Sequence, residues 1–148
     1  MDDAPRYEHT QVGRLHWLFF GIGALLFAGS LSEGGAEGAL LTVAIVFVGV
    51  GLCFRSLTVC DEGDRLTLRF GPLPIFSKSI PYSTISAVEA TRSTLIDGWG
   101  IHWIPGRGWI WNLWGFECVR LEQDGRAFRI GTDDLRGLTE FLQQRLRD

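Results

Sequence analysis

The sequence predicts a two-helix transmembrane hairpin followed by a mainly-β domain capped by a C-terminal amphipathic helix. Three observations carry that expectation. Two apolar stretches stand back to back near the start, over 15–31 and 38–54. Short runs rich in alternating and β-branched residues, cut by turn signals, fill the chain from residue 56 onward. Leucines and a phenylalanine recur at helical spacing in the last fifteen residues. The division is therefore a 1–14 N-terminal segment, a 15–55 helical hairpin with a short acidic turn at 32–37, and a 56–148 β domain.

Neither apolar stretch has a polar face. Between Trp17 and Ala28 every position is apolar or small, and in the second stretch only Thr42 and Cys53 carry polar atoms. Helices apolar all round need lipid or a large protein shell, and the rest of a 148-residue chain is short for both shell and core. At 1.5 Å per residue each stretch spans roughly 25 Å, near the thickness of a thin bilayer. A cleaved signal peptide is the competing reading of the first stretch, with Ala28, Gly29 and Ser30 as a small-residue site. Asp2, Asp3 and Glu8 outnumber Arg6 and Arg14 ahead of it, whereas a signal peptide has a basic start.

Arg6, Arg14 and Arg55 flank the stretches, while Glu33 and Glu37 occupy the turn. The positive-inside rule then puts both termini in the cytoplasm, with the turn outside. No Asp, Glu, Lys or Arg lies within the stretches, and His16 stands at the boundary of the first, so they predict an anchor and not a transport path. Ala24, Ala28, Gly49 and Gly51 offer close helix contact. Three cysteines, Cys53, Cys60 and Cys118, are odd in number and sit in apolar contexts, consistent with reduced thiols.

The β runs fall at 57–60, 66–70, 76–80, 85–91, 99–104, 109–113, 117–122 and 127–130. Asp61, Glu62, Gly63 and Asp64 make a hairpin turn, and Asp124-Gly125 makes another. Pro72, Pro74 and Pro105 fall in connections, where a missing N–H is harmless. In the closing helix Thr132 serves as N-cap, Asp133 and Asp134 favour the first turn, and Leu135, Leu138, Phe141, Leu142 and Leu146 form one stripe. About seven or eight strands then make two packed antiparallel sheets or a partly open barrel, capped by that helix.

The segments Phe70-Gly-Pro-Leu-Pro, Lys78-Ser-Ile-Pro, Gly98-Trp-Gly-Ile-His-Trp and Arg129-Ile-Gly-Thr-Asp-Asp, with the leucine-rich helix after them, resemble bacterial pleckstrin-homology-like domain proteins. Those most similar carry two N-terminal membrane helices. The resemblance implies a bacterial inner-membrane protein whose cytoplasmic domain binds or scaffolds a protein partner. Phosphoinositide binding is disfavoured, because three carboxylates at 61–64 face only Arg65 and Arg69. From Ser56 to the end 11 basic residues balance 12 acidic ones, which also argues against a nucleic-acid surface.

Five of six tryptophans lie within 99–114, on two strands joined by a turn from Pro105 to Gly108. Trp99, Ile101 and Trp103 alternate with His102 and Ile104, and Trp109 and Trp111 share a face. The rings fill a core, sit at a membrane headgroup layer, or form a recognition surface. The candidate interaction surface is Trp99, His102, Trp103, Arg107 at the tip, Trp109 and Trp111. Protein recruitment and lipid-headgroup sensing are the two functional readings. Enzymatic activity is a distant third, requiring His102 paired with Glu117. No cysteine or histidine pair has metal-ligand spacing, and no cofactor motif occurs, so neither a metal nor a cofactor is expected.

Overall fold

The computed structural model describes residues 7–32, 34–73 and 75–147. Asp2, Asp3, Arg6, Glu33 and Pro74, which entered the reading of topology and turns, lie outside them. Among the described residues the chain is mainly β, in two sheets, with three α-helices. The first sheet has the order β1-β2-β3-β4, formed by Glu8–Val12, Ser56–Asp61, Arg65–Phe70 and Phe76–Pro81. The second has the order β5-β8-β9-β7-β6. Its strands are β5 (Ile85–Arg92), β6 (Gly100–Ile104), β7 (Gly108–Asn112), β8 (Glu117–Gln123) and β9 (Arg126–Gly131).

Alternation explains which face each strand buries. Leu57 and Val59 on β2, Leu66, Leu68 and Phe70 on β3, and Ile80 on β4 turn inward. From the second sheet Trp111, Val119, Leu121, Phe128 and Ile130 meet them. Phe70 touches Trp111 across the gap, with ring centroids 5.6 Å apart. One end is closed by α3 (Leu135–Arg145), whose Leu138 and Leu142 are fully buried.

Strand β1 was not foreseen. It pairs antiparallel with β2, His9 opposite Val59, so strands flank the helical hairpin on both sides. The two helices, α1 (His16–Ser30) and α2 (Glu37–Cys53), are an excursion between neighbouring strands of one sheet. Its base is closed by the Gly13 N–H donating to the Arg55 carbonyl at 3.0 Å. Phe54 then packs on Phe70 and Phe76, at centroid distances of 5.2 and 5.8 Å.

That base corrects the expected membrane hairpin. The sheet holds the chain up to Val12 and again from Ser56, leaving 15 residues for α1 and 17 for α2. These lengths give about 23 and 26 Å, short of a hydrocarbon core of about 30 Å. Among the described residues no helix is long and apolar enough to cross a membrane. The two-span inner-membrane placement, with both termini cytoplasmic, is overturned with it.

The all-antiparallel expectation also fails, because β7 runs parallel to β9, with Trp109 beside Phe128 and Trp111 beside Ile130. A parallel neighbour requires a crossover, supplied here by residues 113–125 and the β8 strand within them. The cap of α3 moves too. Asp134, and not Thr132, is its N-cap and accepts from the Gly137 N–H at 3.1 Å, while the Thr132 hydroxyl accepts from the Asp134 N–H.

Candidate functional site

The β6–β7 hairpin pairs Ile101 with Trp111 and Trp103 with Trp109. These four side chains share the face that looks toward the first sheet, and burial grades along it. Trp111 is 8 % exposed and belongs to the core, while Trp109 and Trp103 are 47 % and 59 % exposed. The hairpin thus has a buried end and an open end on one face. The turn depends on Gly108: its φ is +76°, and an added Cβ would stand 2.0 Å from the Ala127 carbonyl oxygen. Only glycine meets both conditions.

Trp99 precedes the ladder, between two glycines of positive φ, and stacks on Trp114 with centroids 4.5 Å apart. Its indole N–H donates to the Gly115 carbonyl at 3.3 Å. His102 lies opposite Ile110, and its ring Nε2 is 2.5 Å from the Trp99 carbonyl, to which it donates. Glu117 sits on β8 opposite Arg92, and no hydrogen bond joins it to His102 among the described residues. Cys118 is buried, and burial raises its thiol pKa.

Arg107 is half-exposed at the hairpin tip and folds back onto Asp97, its Nη1 lying 3.1 Å from Oδ1. Asp97 is 2 % exposed. Buried Arg129 donates to both of its oxygens, at 3.2 and 3.3 Å, and the Thr94 N–H donates at 2.7 Å. Burial pushes the Asp97 carboxyl upward, but the bonds from Arg129, Thr94 and Arg107 outweigh it and hold the group well below the usual carboxylate range. This cluster fixes the hairpin to its own sheet. The Thr94-x-x-Asp97 capping pattern was its signal in the sequence, as was a lone arginine in the apolar run from Ala127 to Ile130.

Between the open end of the hairpin, strand β4 and the base of the helices lies a cavity of about 730 Å³. Trp99, Ile101, Trp109, Trp111 and Phe128 form one wall, and Phe19, Phe54 and Phe76 line it from the helices and β4. Its lining includes two side chains with a titratable nitrogen, Lys78 and His102, and no carboxylate among the described residues. Lys78 is paired with Leu68 in register, on the inward face with Phe76 and Ile80. Its ammonium lies 5.1 Å from the Phe128 ring centroid. Sequence reading missed Lys78 because its inward direction depends on the β3–β4 register.

Elsewhere the acidic hairpin at 61–64 is consumed by structure. Asp61 accepts from the buried Tyr82 hydroxyl at 2.8 Å and from the Gly63 N–H at 2.9 Å. Arg69 pairs with Glu62, and Arg65 with Asp64. Among the described residues no group of three or more acidic, histidine or cysteine side chains is placed to hold a metal. Compared with known proteins, the chain matches no family model and no curated protein, so the pleckstrin-homology-like assignment is withdrawn.

Proposed function

We propose that the protein is a non-catalytic binding module whose site is the cavity beneath the tryptophan hairpin. The observation that carries this reading is a concave, aromatic-walled space of about 730 Å³, within the size range of small-molecule sites and with their usual balance of many apolar walls and few polar groups. The ladder from Trp111 to Trp109 gives the site its floor, and Trp103 lies outside the lining. The Asp97 cluster holds that ladder from behind.

Titration of the full chain with a neutral apolar fluorophore tests it. Saturable one-site binding is expected, lost at least tenfold in Ile101→Trp, which fills the space. Leu25→Gln on the outer helix surface leaves it unchanged. Equal binding by the parent and Ile101→Trp sinks the reading.

A second reading, recruitment of a protein partner, is favoured by a different observation. Leu25, Phe27, Ile45 and Val46 are all more than half-exposed on the helical pair, and exposed apolar surface gathered in one region marks interaction sites. A photocrosslinker at position 45 in cells yields a discrete protein adduct on this reading. Adducts no stronger than those from exposed position 136 count against it.

A further inference from the structure

The cavity has a polarity that its apolar walls alone do not explain. Strand β4 is the edge of the first sheet, yet it directs Lys78 inward between the sheets, in register with Leu68. The neighbouring inward positions on that strand are Phe76 and Ile80. Lys78 has no carboxylate partner among the described residues, and its ammonium is placed against the ring of Phe128. An ammonium beside a ring face is held less strongly than one in a charge-assisted hydrogen bond to an anion.

The two ends of the cavity therefore differ in chemistry. Toward the helices Leu15, Phe19 and Phe54 are purely apolar. Toward the sheet edge Lys78 lines both this cavity and the adjoining cleft formed with Trp109, Asp124, Arg126 and Phe128. A cation at one end and hydrocarbon at the other match one kind of molecule. Resting on the binding reading above, we propose that the site takes a single-chain amphiphile with an acidic head. Its chain lies along Phe54, Trp111 and Ile101, and its head meets the Lys78 ammonium. The head displaces the ammonium from Phe128, or shares it, with no bond made or broken.

Inward lysines on edge strands also act to prevent sheet-to-sheet aggregation, and the test separates the two roles. The full chain is titrated with dodecanoate, dodecan-1-ol and dodecyltrimethylammonium below their micelle or solubility limits, following tryptophan fluorescence and calorimetry. Dodecanoate is expected to bind about tenfold or more tighter than the alcohol, the scale of one charge-assisted hydrogen bond, with the cation weakest. Lys78→Met removes the preference for dodecanoate while leaving the affinity for the alcohol, and Lys78→Arg restores it. Equal affinities for dodecanoate and the alcohol overturn the role of Lys78 and leave the cavity reading standing. No saturable binding of any of the three overturns both. Circular dichroism and the thermal midpoint of Lys78→Met establish that the variant is folded. If it is not, the order of the three ligands on the parent chain decides.

Discussion

Two helical regions of this molecule differ in apolar content, and the less apolar one buries its large side chains more completely. In α3 the large side chains Leu138 and Leu142 are fully buried, and the helix alternates polar and apolar faces. In α1 and α2 the buried positions are His16, Gly23, Ala44, Gly51 and Cys53, while Leu25 and Ile45 face outward at 75 % and 64 % exposure. The pair is joined through its small residues. An added Cβ at Gly51 would meet the Phe20 ring at 2.7 Å, and one at Gly23 would meet Val48 at 3.1 Å. The contrast teaches that apolar content draws a helix out of water only where a partner surface has the matching period. The sheets offer α3 such a surface, and α1 and α2 offer each other only a narrow seam.

The sharpest test of that contrast lies in the packed β body. Asp97→Ala leaves Arg129 buried without its partner, and the expected loss is about 3–5 kcal/mol in urea unfolding. The carboxyl of Asp97 titrates lower in the folded chain than in the unfolded one. Its contribution is therefore complete above the unfolded value near 4 and is lost as pH falls below it. The gap in urea midpoint between the parent and Asp97→Asn should narrow on going from pH 6 to pH 3. A gap that widens on acidification contradicts the assignment.

Leu138→Ala is expected to destabilise by about 2–5 kcal/mol, since it opens a cavity under the cap helix. Gly51→Leu forces a large side chain into the seam between α1 and α2, and about 1–3 kcal/mol of overpacking is expected. Thermal unfolding and helical circular dichroism report it. Leu25→Ala removes an apolar side chain of the same size from the outer helix surface, and the expected change is within about 0.5 kcal/mol. A loss near that of Leu138→Ala would mean that Leu25 is covered in solution, and the contrast between the two helical regions would collapse.

The tryptophan hairpin shows how far pattern reading reaches. Alternation correctly places Trp109 and Trp111 on one face, yet the two differ from 47 % to 8 % exposure. Distance along the ladder from the first sheet produces that gradient, and no local pattern records it. The eight strands after residue 56 were legible because their period is two residues. Strand β1 was not, because the run from Glu8 to Val12 is polar and forms only through pairing with β2, more than forty residues away.

By itself, the amino-acid sequence determined the local elements: two apolar helices, eight strands with their turns, and an amphipathic closing helix. Periodicity and turn chemistry act over a few residues, so they are written locally. Tertiary structure alone decided that the helical pair is an excursion from one sheet, that β7 lies parallel to β9, and that Lys78 turns into an aromatic cavity while Asp97 is clamped behind it. Each of those depends on strand register between distant segments. Register follows from the free energy of the whole packed core, and a shift of one residue would send Lys78 to solvent.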